Sequence, residues 1–176
     1  MDCLCGDMVS WRNKRPEHFP EADQLRKSAR KLKGRRNKTR AGAQVAFDEG
    51  NREKGYRLMK VAHRKYRVPA LKADGEAAKL YFERNNAGRP VNEIDLHHLL
   101  VDEAITKARK RVRHVRDRSG DEYDCVYLIV GTGKHSRQGP KLPTAIKEML
   151  ADLEGDNEID RWEFCEEHGV FRAYFI

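Results

Sequence analysis

Apolar residues recur at spacings of three and four through the first half of the chain, and strand-like alternation joins that helical spacing in the second half. Ala22, Leu25, Ala29 and Leu32 fall on one helical face, and Ala43, Ala46 and Phe47 renew the stripe, as a helix with one buried side requires. Gly50-Asn51 predicts a break, after which Leu58, Met59, Ala62 and Tyr66 begin a second stripe. Pro69 predicts a further interruption, because proline lacks the N–H and crowds the preceding turn. Ala70, Ala73, Ala77, Tyr81 and Arg84 then resume helical spacing. Asn85-Asn86-Ala87-Gly88-Arg89-Pro90 is turn chemistry and predicts a domain boundary.

Beyond it, Asn92–His97 predicts a strand with Ile94 and Leu96 on one face and Glu93, Asp95 and His97 on the other. Val101, Ala104, Ile105, Ala108, Val112 and Val115 form a helical stripe, and Cys125–Val130 is apolar on both faces, as in a central strand. Leu142, Ala145, Ile146, Met149, Leu150 and Leu153 make another helix, and Arg161–Phe164 and Val170–Phe175 alternate again. The order β-α-β-α-β-β, with right-handed crossovers placing both helices on one face, predicts a two-layer α/β sandwich preceded by an α-helical segment. The expected division is an irregular segment over 1–20, a basic helical domain over 21–86 and the α/β domain over 91–176.

Charge sharpens that division. The net charge of +8 splits into +12 over residues 1–90 and −4 over 91–176. Leu25 to Arg40 holds nine basic residues and no acidic one. Such a block attracts polyanions through counterion release; a solvated helix face or a nuclear-import signal is the competing reading. The candidate nucleic-acid contacts here are Arg26, Lys27, Arg30, Lys31, Arg35 and Arg36. The longest apolar run, Cys125–Val130, is far below the ~20 residues of a membrane span. Asp2 and Asp7 stand where a secretory leader needs a basic start and an apolar run. The four cysteines make no disulfide framework. A soluble intracellular protein is expected, cytoplasmic or nuclear.

Two clusters carry chemistry. Ile94-Asp95-Leu96-His97-His98 ends the first strand, where a carboxylate two residues from an imidazole can orient it for proton transfer; a turn-capping Asp beside an exposed His is the alternative. Gly131-Thr132-Gly133-Lys134-His135-Ser136-Arg137 follows the central strand, at the strand end where open sheets bind ligands. Its glycines admit a phosphate to backbone N–H groups, and Lys134, His135 and Arg137 add donors and charge. Leu128 and Ser136 break the Walker and dinucleotide glycine patterns, so a nucleotide cofactor is not expected. No third ligand stands at metal spacing from the histidines. No cofactor is expected, although the spacing does not forbid a divalent metal.

Asp95-Leu96-His97, the helix after it and the strand into Gly131-Thr132-Gly133-Lys134-His135-Ser136 resemble a Smr (small MutS-related) domain. Leu25-Arg26, Ala29, Ala43, Ala46, Gly50 and Asn85-Asn86 resemble the helical domain that often precedes it in eukaryotic proteins. The resemblance implies a fold like the C-terminal domain of translation initiation factor three and an endonuclease. The expected activity is endoribonucleolytic, on mRNA or ribosome-associated RNA, with RNA and the ribosome as partners. DNA nicking and a non-catalytic RNA- or DNA-binding module are the rival readings. It also implies catalytic roles for Asp95, His97 and His135, and nucleic-acid contacts at Gly131, Thr132, Gly133, Lys134, Ser136 and Arg137. This chain departs from the pattern at His98, where the family usually has Gly, and at Thr132, where it often has Arg or Lys.

Overall fold

The computed structural model describes residues 19–118, 123–132 and 140–176. They form two compact units that divide between Leu80 and Tyr81.

The first unit is helical. Pro20 opens α1 (Pro20–Asp48), where its missing N–H is one of the four without an intrahelical partner. Ala22, Ala29, Ala43 and Ala46 are fully buried along α1, and the small side chains of Ala43 and Ala46 let α2 (Arg52–Val61) lie close against its C-terminal part. Phe47 and Tyr56 meet edge to face across that seam at 5.3 Å. The predicted break falls where expected: α1 stops at Asp48, and the Asn51 side chain caps α2 by accepting from the Lys54 N–H.

Pro69 does not interrupt the helix. Ala62–Arg67 takes a π-helical turn, and α3 (Val68–Asn85) continues from it. The Val68 N–H bonds back five residues to the His63 carbonyl. The widened turn accommodates the proline ring, which clashes with a carbonyl four residues back in a regular helix. Within this unit Arg26 of α1 pairs with Asp74 of α3 at 2.9 Å, and Lys33 reaches the same carboxylate at 2.7 Å. Burial raises the Asp74 pKa, but the hydrogen bonds and charges of Lys33 and Arg26 outweigh it and hold the carboxyl below its usual value.

The second unit contains β1 (Glu93–Asp95), α4 (Val101–Arg116), β2 (Cys125–Ile129), α5 (Lys141–Gly155), β3 (Arg161–Cys165) and β4 (Val170–Tyr174), in the predicted order. The sheet runs β1-β2-β4-β3, with β1 parallel to β2 and the other pairings antiparallel. α4 and α5 pack beside each other, α4 against β2 and α5 against β3, which is the expected two-layer sandwich. Ile94, Leu96, Val126, Leu128, Phe171 and Ala173 meet Val112, Val115, Ile146, Leu150 and Leu153 in a core without solvent exposure beyond 1%.

The strand register puts Glu93, Tyr127 and Arg172 side by side on the face turned away from that core, with Asp95 level with Ile129. Tyr174 and Arg161 continue the same face. The Arg172 guanidinium lies 5.3 Å from the Tyr127 ring and 4.7 Å from that of Tyr174. Burial, with Cys125 alongside, pushes the Tyr127 phenol up to about 12, so the ring stays neutral.

Two expectations change here. The first strand is Glu93–Asp95 rather than Asn92–His97; the face that carries Glu93 and Asp95 is covered, at 8% and 7% exposure. The boundary also moves. Residues 81–90 belong with the α/β unit instead of linking two domains, because their side chains build the wall of β1.

Candidate active site

At the end of β1 the backbone turns through the side chain of Asp95. Its Oδ1 accepts from the His97 backbone N–H at 3.0 Å, an Asx turn that replaces the strand the sequence suggested. The same oxygen lies 2.7 Å from His97 Nδ1. A carboxylate at Nδ1 fixes the proton there and leaves the lone pair on Nε2. Asp95 and His97 are therefore paired as expected, but by a turn instead of by strand alternation.

Three side chains that sequence reasoning left in the linker hold this pair. Asn86 grips Asp95 on both sides, accepting from its N–H at 2.8 Å and donating to its carbonyl at 2.9 Å. On the outer edge of β1 it acts as a strand partner would. Asn85 donates to the His97 carbonyl at 3.0 Å. Arg89 donates to the other carboxylate oxygen of Asp95 at 2.9 Å, to Glu93 at 3.3 Å and through Nε to the Asn85 carbonyl at 2.7 Å. Its side chain is 8% exposed and each carboxylate 10%. Burial raises the Asp95 pKa; the hydrogen bonds from His97, its charge and that of Arg89 outweigh it and keep the carboxyl below its usual value. Asp95 stays ionised and serves as the fixed partner, while the His97 side chain, 28% exposed, faces solvent.

Gly131, two residues past β2, lies against one side of the ring. Gly131 sits at φ +74, and a Cβ there would come within 2.6 Å of His97 Nε2. Glycine is needed twice over, for the left-handed backbone and for the space the imidazole occupies. Gly169, at φ +64, is pressed against the Gly131 backbone in turn. Its carbonyl accepts from the N–H groups of Val130 at 2.9 Å and Gly131 at 3.0 Å. This corrects one expectation, because the Gly131 N–H is already engaged and Gly131 offers a phosphate no amide. Thr132 is half-buried beside it. Gly133, Lys134, His135, Ser136 and Arg137 lie outside the described residues.

His98 explains its own departure from the family pattern. Its φ is +65, the conformation that glycine adopts without strain. Its ring stacks on Tyr81 with centroids 4.9 Å apart, which offsets part of that strain. It is a loop residue, as expected.

Among the basic-block candidates, Lys27, Arg30, Lys31 and Arg35 are exposed and Arg36 is half-buried. Arg26 is 8% exposed and committed to Asp74, so it is withdrawn from the nucleic-acid contacts. Among the described residues, no three His, Cys, Asp or Glu side chains converge as a metal-binding group. No helix among them is long and apolar enough to cross a membrane.

Fold and site together define a two-layer α/β domain with a carboxylate–imidazole pair at a strand end. The chain is 29% identical over 150 residues to Endonuclease NBR9 of Saccharomyces cerevisiae, an alignment covering 85% of this chain and 55% of that protein. It is 34% identical over 112 residues to an Smr domain-containing protein of Schizosaccharomyces pombe, covering 61% and 51%. The chain thus spans about half the length of these curated relatives. The solution structure of the B3BP Smr domain aligns at a TM-score of 0.46 and 25% identity, over 59% of this chain and 97% of that one. No family model matches the chain. Its sequence relatives are thus an endonuclease and an Smr domain-containing protein, and the chain is similar to both.

Proposed function

We propose that the chain is an endoribonuclease acting on mRNA or ribosome-associated RNA. The observation that carries this reading is the Asp95–His97 pair, with Nδ1 held by an ionised, buried carboxylate and Nε2 turned toward the loop after β2. The relative named as an endonuclease supports it. So does the sheet face that Asp95 shares with Tyr127, Arg172 and Tyr174, since rings and guanidinium planes are surfaces on which unstacked bases rest.

In this mechanism His97 Nε2 takes the proton of the substrate's 2′-hydroxyl, and the 2′-oxygen attacks the adjacent phosphorus. The P–O5′ bond breaks as the new P–O bond forms, and the 5′-oxygen leaves with a proton supplied by His135. The products are a 2′,3′-cyclic phosphate and a free 5′-hydroxyl. Asp95 holds the imidazole in the productive tautomer and offsets the charge it acquires. Lys134 and Arg137 stabilise charge on the phosphate oxygens.

The test is incubation of the pure chain with end-labelled single-stranded RNA, single-stranded DNA and duplex DNA. RNA cleavage in excess chelator, with a cyclic phosphate on the product, is expected. A His97→Ala variant should cleave about 10²–10⁴-fold more slowly. Cleavage that stops with chelator and leaves a 5′-phosphate would point to a metal-activated water, with Asp95 and His97 as ligands. Nicking of duplex DNA alone, or binding without cleavage in any arm, would establish the rival readings.

A further inference from the structure

The helical unit contains a cleft of about 380 Å³ lined by Arg36, Arg40, Met59, Ala62, His63 and Arg67. That volume lies at the low end of the range for ligand sites, but the walls are cationic where a site for an apolar ligand would be greasy. No Asp or Glu among the described residues lines it. Among the described residues Arg36 donates to the neutral Asn37 side chain alone, at 3.1 and 2.8 Å, and no carboxylate pairs with Arg40 or Arg67. Elsewhere in this unit a buried arginine is neutralised, as Arg26 is by Asp74. Cations of one sign that converge without a counterion repel one another and contribute nothing to folding.

The backbone arranges this convergence. Arg36 and Arg40 are four apart on α1 and share a face. His63 and Arg67 are four apart in the π-helical turn Ala62–Arg67, where hydrogen bonds close five residues back and more residues fit in each turn. Such turns concentrate at functional sites. Met59 and Ala62 supply the apolar part of the wall.

We infer that this cleft binds the phosphodiester backbone of a nucleic-acid strand, with Arg36, Arg40 and Arg67 as the phosphate ligands and His63 as a further donor. The proposal rests on the nucleic-acid reading above but not on cleavage. It relocates the contact from the basic block as a whole to four residues, two of them outside that block.

The test uses the full chain carrying His97→Ala, so that RNA survives, with a fluorescent single-stranded RNA titrated by anisotropy across a salt series. Arg40→Gln with Arg67→Gln should lower the salt slope by about 1.4, at roughly 0.7 per lost phosphate contact, and weaken binding about tenfold at 0.15 M salt. Its melting temperature should hold or rise, because no ion pair is broken. Arg52→Gln with Lys54→Gln, exposed on α2 and outside the cleft, makes the same charge change and should leave the slope nearly unaltered.

Equal slope losses in the two doubles would show a diffuse field and overturn the proposal, as would a melting temperature that falls in the cleft double. Stabilisation by inorganic phosphate that disappears in the cleft double, with RNA binding unaffected, would make the cleft a small-anion site and overturn the polynucleotide. No cleavage of any substrate by the unmodified chain, with the slope difference intact, would sink the endonuclease reading and leave the cleft standing. Equal slopes with cleavage intact would sink the cleft alone.

Discussion

Arg89→Met should be among the most damaging single changes in the α/β unit, although Arg89 lies in a stretch that reads as a linker. The wild-type guanidinium contacts Asp95 at 2.9 Å, Glu93 at 3.3 Å and the Asn85 carbonyl at 2.7 Å. Methionine retains much of the packing volume and removes all of the charge. Two carboxylates, each 10% exposed, would lose the cation beside them. Removing one partner of a buried ion pair costs about 3–5 kcal/mol, because the other charge is left without compensation. Against a total stability of about 5–15 kcal/mol for a domain, that leaves little margin.

The loss should also depend on pH, and its sign follows from Asp95. In the wild type its pKa lies below the ordinary value of an aspartate, so its contribution is present above that ordinary value and lost as pH falls through the folded pKa. Burial is the largest influence on this group and acts upward. Without Arg89 the folded pKa rises, and protonation then relieves the variant at a higher pH than the wild type. The stability gap should be widest near pH 7 and narrow as pH falls toward 4. Urea unfolding at both pH values, followed by far-UV circular dichroism and by the fluorescence of Trp162, whose ring lies 5.8 Å from that of Phe171, measures it. A cost under about 1 kcal/mol at pH 7, or the same cost at both pH values, would falsify the claim that Arg89 neutralises a buried carboxylate pair.

Gly131→Ala should destabilise by more than about 1 kcal/mol, since alanine is placed at φ +74, and should also displace the His97 ring from its seat over the glycine. Thermal melts and initial cleavage rates check both effects; a rate close to that of the unmodified chain would show that the ring need not lie there. At His98 the two truncations should separate. His98→Ala loses the stack on Tyr81 and keeps the strained backbone, whereas His98→Gly loses the stack and relieves the strain. The glycine variant should be the more stable of the two by about 1 kcal/mol, and equal melting temperatures would mean that φ +65 carries no strain here.

The helices and the succession of strands and helices along the chain were legible because their signals are periodic. Ala104, Ala108, Val112 and Val115 mark the buried face of α4 in the sequence and are its buried residues in the structure. Pro69 misled because a proline reports a missing N–H and a clash, and both a break and a π-helical turn answer those two facts. The Asp95–His97 pair was legible as a pair, but its geometry was not. Two residues apart reads as alternation in a strand, whereas the chain makes an Asx turn of the same span. Asn85, Asn86 and Arg89 were missed for a different reason. Asparagine in a turn and asparagine bracketing a strand edge have the same local sequence, and only the position of β1 tells them apart. One signal was available: Arg89 stands four and six residues before Glu93 and Asp95, and a strand with two carboxylates on one face needs a cation if that face is covered.

Arg89 also limits where charge compensation for a bound phosphate can come from. Each nitrogen of its guanidinium already donates, to Asn85, Glu93 or Asp95. Turning it toward a substrate would strip the carboxylate that orients His97. Thr132 is neutral, and the Gly131 N–H is held by the Gly169 carbonyl. The part of the site built by β1 and the first residues after β2 is therefore suited to fixing an imidazole and poorly suited to holding an anion. Under the proposed function, proton transfer and phosphate binding would fall to different segments: the first to Asp95 and His97, the second to Lys134, Arg137 and the basic helical unit. The charge distribution follows this division, with +12 over residues 1–90 and −4 over the half that holds the carboxylate–imidazole pair.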